Sequence, residues 1–339
     1  MSEPKRIGIL GTGTWGTALA RMLANDGHEV TCWSAIPEEI ELLSGKRIHP
    51  NLPGIMVPES IRFTGEIGSA CTEKDLVVFA VPSVYVRRTA QAAVPYLADG
   101  QMIVDVAKGI EPDTLKTMTE IISDVLQKEN PRIRVHLCAL SGPTHAEEVA
   151  ADMPTTIVAA SREKEVAAFV QQVFSNHVMR VYTNEDIKGV EICGALKNVM
   201  ALAAGIASGM GYGDNLRAAI ITRGSAEMSR LGRAMGCREQ TFAGLAGIGD
   251  LIVTATSRHS RNNRAGYLIG QGKTAQEAIR EVGMVVEGIN ALPAARKLAE
   301  KYHVEMPITE AVHQVVAEGM KPEEMLHHLM ERAFTEEHY

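Results

Sequence analysis

Through the first half of the chain, short apolar runs alternate with helix-forming segments. RIGILG (6–11), HEVTCW (28–33), DLVVFAVP (75–82), QMIVDVA (101–107), VHLCAL (135–140) and TTIVAAS (155–161) all read as buried strands. Amphipathic or Ala-rich stretches such as Thr17–Asn25 and Leu115–Gln127 lie between them, and a last short strand, MRVYT (179–183), ends the series. Strand–helix repetition of this kind predicts a parallel sheet covered on both faces, because each crossover lays a helix over the sheet. From about Asn184 the strand-like runs largely stop, and Ala/Met/Leu/Glu-rich helical patterns take over at 187–207, 216–234 and 290–303. The expected architecture is an α/β doubly wound domain over 1–185, followed by an all-α domain over 186–339 that carries the substrate and catalytic groups.

A length of 339 residues is enough for two cores of this size. Aromatic content of 4% gives little material for stacking on bases, and a net charge of −7 argues against a general polyanion surface; no nucleic-acid partner is expected. The five cysteines (Cys32, Cys71, Cys138, Cys193 and Cys237) are far apart, odd in number and never in a CxxC. That argues against a disulfide framework or a metal site and suits a reducing compartment. MSEPK leads straight into a strand without the apolar core of a signal peptide. The longest membrane-like run, Ile192–Met210, has Glu191 beside it and Lys197 inside it, which spoils it as a span. The expectation is a soluble cytoplasmic protein, with the acidic tail FTEEHY as a surface end.

Directly after the first strand, GTGTWG places Gly11, Gly13 and Gly16 in a G-x-G-x-x-G spacing. One glycine makes the turn, one lets the backbone approach a pyrophosphate, and one lets helix and strand pack closely. The helix that follows presents free N–H groups to the diphosphate. The position of this turn, at the start of a parallel alternation, makes a Rossmann-type dinucleotide site the preferred reading over a plain strand–helix turn. Loops after later strands fall where ligands of such sheets collect. Lys108 follows the QMIVDVA strand and can point into a cleft or into water. Thr144, in SGPTHAEEV (141–149), is equally suited to ligand contact or to capping a helix with Glu147.

In the helical half, GALKNVMA sets Lys197 among small apolar neighbours, with Cys193 and Gly194 on one side and Met200 and Ala201 on the other. A lysine on such a stripe either snorkels to water or serves chemistry. Further on, GLAGIGDLIVTATSRHSRNNRAG (244–266) leads through Asp250 and a strand-like or helical LIVTAT to Ser260, Arg261 and Asn262. Hydroxyl, guanidinium and amide donors together suit a phosphate monoester, although an isolated basic loop is usually just solvated. Asp250 has the alternative of a helix cap.

Taken together, GTGTWGTALA, AVPS, AKGIE, SGPTHAEEV, ALKNVMALAAGI, GLAGIGDLIVTATS, SRNNRAG and VVEGI resemble, in order and over nearly the whole length, the bacterial-type NAD(P)-dependent glycerol-3-phosphate dehydrogenases. The resemblance implies reversible reduction of dihydroxyacetone phosphate by NAD(P)H to sn-glycerol 3-phosphate, the backbone of phospholipids. It implies that Lys197 transfers the proton, and that substrate contacts fall on Lys108, Gly142, Thr144, Lys197, Asp250, Ser260, Arg261 and Asn262. Cofactor contacts would fall on Thr14, Trp15, Lys108, Ala146, Arg261, Val285 and Glu287, beside the glycine turn. At one cofactor position, after the second strand, relatives often carry a basic residue, whereas this chain has Ala35. Ser34, Ala35 and Ile36 supply neither an acid to repel a 2′-phosphate nor a base to hold it, which predicts use of both NADH and NADPH. Glu38 and Glu39 are expected to open the next helix. A homodimer is compatible with the sequence, which does not fix the oligomeric state. Two rivals are another two-domain dehydrogenase, disfavoured by the Ser260–Asn262 donors, and a non-catalytic cofactor sensor, which would not need a buried lysine.

Overall fold

The computed structural model describes residues 3–334, 336 and 337. Of the acidic tail, Thr335, His338 and Tyr339 lie outside the described residues, as do Met1 and Ser2 at the start. Eight strands form one sheet: β1 (Arg6–Leu10), β2 (Glu29–Trp33), β3 (Arg62–Thr64), β4 (Leu76–Phe79), β5 (Gln101–Asp105), β6 (Val135–Ser141), β7 (Thr155–Ala160) and β8 (Met179–Asn184). Their order is β3-β2-β1-β4-β5-β6-β7-β8. The order reverses direction between β1 and β4, the crevice where ligands of doubly wound sheets bind. The Ile7, Ile9, Val78, Val104 and Leu140 side chains pack with helix residues Leu19 and Leu23 on one face. Leu10, Phe79 and Ile103 pack with Ile121 and Val125 on the other. Burial on both faces explains why the strands read as continuous apolar runs.

Two expectations need correction. The sheet is mixed rather than wholly parallel: β7 runs antiparallel to β6, and β8 is parallel to β7. A parallel step needs a long crossover, but the chain from Ser141 to Thr155 carries only the five-residue helix Ala146–Ala150 and returns along the same end of the sheet. The edge strand β3 is an addition to the expected series. It has three residues, RFT, too few for a period to register.

After β8 the chain is helical. The helix Ile187–Gly209 runs through the centre of this region and is buried along nearly all its length. It is long and apolar enough to cross a membrane, yet that entire apolar window is buried inside the protein. Its hydrophobic surroundings come from the helices Asp214–Ala234, Arg261–Gly270, Glu287–Lys301 and Pro307–Ala317. Close crossing by Arg261–Gly270 depends on missing side chains. A Cβ on Gly205 would stand 2.1 Å from the Asn263 carbonyl oxygen, and one on Gly266 would stand 2.1 Å from that of Leu202. No real contact is that short, so alanine at either position would push the two backbones apart. The buried Glu191 carboxylate ties the central helix to the sheet region by accepting from Thr119 N (2.8 Å), Thr119 Oγ1 (2.6 Å) and Thr117 Oγ1 (2.8 Å). Those groups begin the helix Met118–Glu129, so a carboxylate from one region caps a helix of the other.

Candidate active site

A cleft with about 230 Å³ of space open to water lies between the top of the sheet and the central helix. Three glycines shape its cofactor end. Gly11 has φ +119°, a left-handed-side conformation that favours glycine, and a Cβ there would sit 2.7 Å from the Ala80 carbonyl oxygen. A Cβ on Gly16 would be 2.2 Å from the Gly11 carbonyl oxygen, so helix and turn pack with no room between. Gly13 meets nothing within 4 Å, leaving its backbone open to a ligand. The helix Thr14–Asn25 begins there without a side-chain cap, and its first N–H groups are turned toward that space. These are the features a diphosphate requires, so the residues fit a dinucleotide.

Lys197 lies at the floor. Its side chain is 6% exposed, and its Nζ donates to Asp250 Oδ1 (2.6 Å) and Thr254 Oγ1 (2.6 Å). Lys108 reaches the same carboxylate from the sheet side, with its Nζ 2.7 Å from Asp250 Oδ2 and 3.2 Å from the Gly142 carbonyl oxygen. Gly194 packs closely against that side chain; a Cβ there would stand 3.3 Å from Lys108 Cγ, so the lysine would have to shift by a few tenths of an ångström. Both lysines therefore abandon the solvated alternatives, and the fully buried Asp250 joins them rather than serving only as a helix cap.

Burial pushes the Lys197 pKa down to about 7; the Asp250 carboxylate opposes this, while the Lys108 charge adds to it. Burial acts to raise the Asp250 pKa, but the two lysines outweigh it and leave this carboxyl below its ordinary value. The result is an acid ionised at neutral pH that bridges two amines, with the Lys197 pKa brought down to about 7. Such a group can give or take a proton at little cost.

The remaining predicted residues fall into three groups. Thr14, Trp15, Ala146, Val285 and Glu287 line the cleft with Gly13 at its cofactor end. Glu287 is held across the cleft by Ser83, whose N–H and Oγ donate to it at 3.0 and 2.6 Å. Thr144, Ser260, Arg261 and Asn262 line the cleft near Lys197. Ser260 caps the helix Arg261–Gly270, its Oγ accepting from Asn263 N (3.2 Å), which leaves the hydroxyl proton available to a ligand. Arg261 opens that helix, is exposed, and has no hydrogen-bond or ion-pair partner among the described residues. Ala35 lies outside the cleft, exposed after β2.

Three readings are narrowed in the folded chain. Thr144 does not cap the next helix, whose N-cap is His145; its Oγ1 donates to the Gly142 carbonyl oxygen (3.1 Å). The Asn262 side chain is partly committed to the fold, with one of its two amide N–H groups and its oxygen engaged. It donates to Asn198 Oδ1 (2.9 Å) and accepts from Gly288 N (2.8 Å), bracing three helices behind the cleft. LIVTAT is helical, within Asp250–Thr256. That helix also brings in Thr254, which sequence reasoning missed. Its position four residues after Asp250 was the available signal, because i and i+4 share a helix face. Asn198 and the ring pair His145–His259, with centroids 5.9 Å apart, were missed as well.

With the geometry in place, comparison with known proteins is decisive. Residues 6–167 match the family described as NAD-dependent glycerol-3-phosphate dehydrogenase N-terminus, and residues 186–327 match its C-terminus. The chain belongs to this family. A protein of Lactobacillus delbrueckii subsp. bulgaricus named glycerol-3-phosphate dehydrogenase, NAD(P)+, 2 is 63% identical, covering 96% of this chain and 97% of its own. A Bacillus subtilis relative named glycerol-3-phosphate dehydrogenase, NAD(P)+, is 47% identical over 98% and 96%. Among solved structures, glycerol-3-phosphate dehydrogenase from Coxiella burnetii superposes with a TM-score of 0.90 at 33% identity, covering 97% of this chain and 99% of that one. Family membership fits the glycine turn and the paired lysines described above.

Proposed function

We propose that the chain catalyses reversible hydride transfer between NAD(P)H and dihydroxyacetone phosphate, giving sn-glycerol 3-phosphate for phospholipid synthesis. The observation that carries this reading is the Lys197–Asp250–Lys108 cluster, buried at the floor of a cleft that also holds a diphosphate-ready glycine turn. The bound nicotinamide supplies the hydride, and the side chains do the rest. Hydride arriving at a ketone carbon leaves negative charge on its oxygen, which must be stabilised and protonated. Lys197 is the group to do both, as an ammonium in reduction and as a neutral amine that takes the proton back in oxidation. Asp250 holds Lys197 and Lys108 in place, and Thr254 fixes a second direction of the Lys197 ammonium, which leaves its third N–H for the substrate oxygen.

The free guanidinium of Arg261, the Ser260 hydroxyl and the helix N-terminus they share are suited to the substrate phosphate. Thr144 and Lys108 would lie along the carbon chain. The donor set disfavours an unphosphorylated hydroxy acid, and a buried titrating lysine disfavours a mere cofactor sensor. We also place the boundary between the two domains at the end of β8, near residue 185. Five buried free cysteines suit a cytoplasmic location. The test is loss of reduced-nicotinamide absorbance on adding dihydroxyacetone phosphate, with unphosphorylated dihydroxyacetone as the control. No loss with either NADH or NADPH would refute the proposed reaction.

A further inference from the structure

Beyond the glycine turn, at the adenosine end of the site, the chain brings an acid to a place where its sequence shows none. β2 ends at Trp33, and the next three residues are Ser34, Ala35 and Ile36. Glu39 lies in the first turn of the helix Pro37–Gly45, but its carboxylate does not serve that helix. It turns back over the end of β2. Its Oε2 accepts from Thr12 Oγ1 (2.5 Å), the residue between the first two glycines of the turn, and from Ser34 Oγ (2.7 Å). Ser34 Oγ in turn accepts from Ile36 N (3.1 Å), so its proton is directed at Glu39. Thr12 and Ser34 are themselves buried, at 2% and 3% exposure, so the carboxylate is pinned by two fixed donors. Both bonds use Oε2, leaving Oε1 for another donor.

A carboxylate held between the glycine turn and the end of β2 occupies the position from which a dinucleotide fold reads the adenosine ribose. There an acid accepts from a 2′-hydroxyl and repels a 2′-phosphate. Of the basic residues that could offset it, His49 lies close to Glu39 and to the Thr12 backbone, but burial outweighs the carboxylate and holds its pKa below the ordinary value, so near neutral pH it adds no positive charge. The others point elsewhere. The Arg47 guanidinium donates to the Pro58 and Ile61 carbonyl oxygens (3.2 and 2.9 Å) and stacks over the Phe63 ring. Lys46 follows the far end of the Pro37–Gly45 helix. Lys74 Nζ donates to Thr31 Oγ1 (3.2 Å), further back along β2.

We infer that Glu39, reaching from the next helix, is the residue that reads the ribose 2′ position and makes NADH the preferred cofactor over NADPH. Ser34 and Thr12 are its positioning residues. NADPH remains usable, at a disadvantage of about tenfold to hundredfold, the effect expected of a single charge-assisted hydrogen bond. The proposal rests on the dehydrogenase reading above, and its test is chosen to fail separately.

Binding of ADP-ribose and of its 2′-phosphate is titrated by calorimetry on the wild-type chain, on Glu39→Gln and on Ser34→Ala, and kcat/KM is measured with NADH and NADPH. Wild type should bind ADP-ribose at least about tenfold more tightly than the 2′-phosphate. Glu39→Gln, which keeps an oxygen for Thr12 and Ser34, should bring the two within about threefold, and kcat/KM should follow. Ser34→Ala, which frees the carboxylate, should move the ratio the same way by less. Equal binding by wild type, or an unchanged ratio in Glu39→Gln, would overturn the role of Glu39. Should dihydroxyacetone phosphate leave both cofactors unoxidised, the reaction is wrong, and the ADP-ribose titrations still decide the inference.

Discussion

Asp250→Asn separates the charge of the bridging carboxylate from its shape. Burial has brought the Lys197 pKa down to about 7, and the Asp250 carboxylate, at 2.6 Å, is what keeps it from falling further. A hydrogen bond to a charged group is worth about 1.5–3 kcal/mol. At about 1.4 kcal/mol per unit, losing it should lower the lysine by about one to two units, to about 5–6. The nearby Lys108 charge, now without its partner, acts in the same direction. At about pH 7.5 the ammonium fraction then drops about 10- to 100-fold, and the rate of ketone reduction drops with it.

Single-turnover oxidation of NADH by saturating dihydroxyacetone phosphate across the pH range is the appropriate assay, since it removes product release. Reduction needs the ammonium, so the wild-type rate should be flat below about 7 and fall as pH rises through it. The variant should show the same curve displaced downward, while glycerol phosphate oxidation, which needs the amine, gains at neutral pH. Breaking a buried ion pair also costs about 3–5 kcal/mol of stability, so thermal melting accompanies the kinetics. Where Asn is not tolerated, Thr254→Val removes the other acceptor and should shift the midpoint the same way by less. A folded Asp250→Asn enzyme whose midpoint stays within about 0.3 unit of wild type would refute the electrostatic argument.

Lys197→Met should lower kcat by about 10²- to 10⁴-fold with cofactor binding, read by nicotinamide fluorescence, near normal; retention of more than about half the wild-type rate would remove it from the mechanism. Arg261→Ala should reduce kcat/KM for dihydroxyacetone phosphate by about 10- to 150-fold, while the poor rate with dihydroxyacetone hardly changes. Equal losses with both substrates would mean that Arg261 serves the cofactor or the fold. Glu227, buried and accepting from Ile308 N (2.6 Å) and from Thr309 N and Oγ1 (both 3.2 Å), tests stability instead. Burial raises its pKa to about 7 from 4.5, despite those donors. A raised folded-state pKa contributes stability that is complete below the unfolded value and lost as pH rises through the folded one. Glu227 should therefore account for on the order of 2–3 kcal/mol of the stability that wild type loses between about pH 4.5 and 7.5, read by urea unfolding as the difference in that loss between wild type and Glu227→Gln.

Legibility in the sequence followed the range over which each interaction acts. Strand–helix alternation and the glycine spacing are local, so the series of strands and the glycine turn could be read from the residues alone, while the strand order and its switch point came only with the fold. The reversal of β7 was not legible, because apolar runs carry no direction; only the short helix between Ser141 and Thr155 hinted at it. Lys197 announced itself by being charged where its neighbours are small and apolar, and burial along the central helix made that contrast meaningful. Its partners did not. Lys108 and Asp250 lie 142 residues apart, and only the packing of the central helix against the sheet brings them together. Nothing in SRNN reveals that Asn198 and Gly288 will engage one N–H and the oxygen of the Asn262 amide. Glu39 shows the same limit most sharply. Its place as the third residue after Ile36 favours an ordinary first-turn acid, stabilised by the helix dipole. Only the folding of the Pro37–Gly45 helix against the glycine turn sets its carboxylate against Thr12 and Ser34. An acid need not stand at the end of a strand to act there; it needs a backbone that returns it and two donors to hold it.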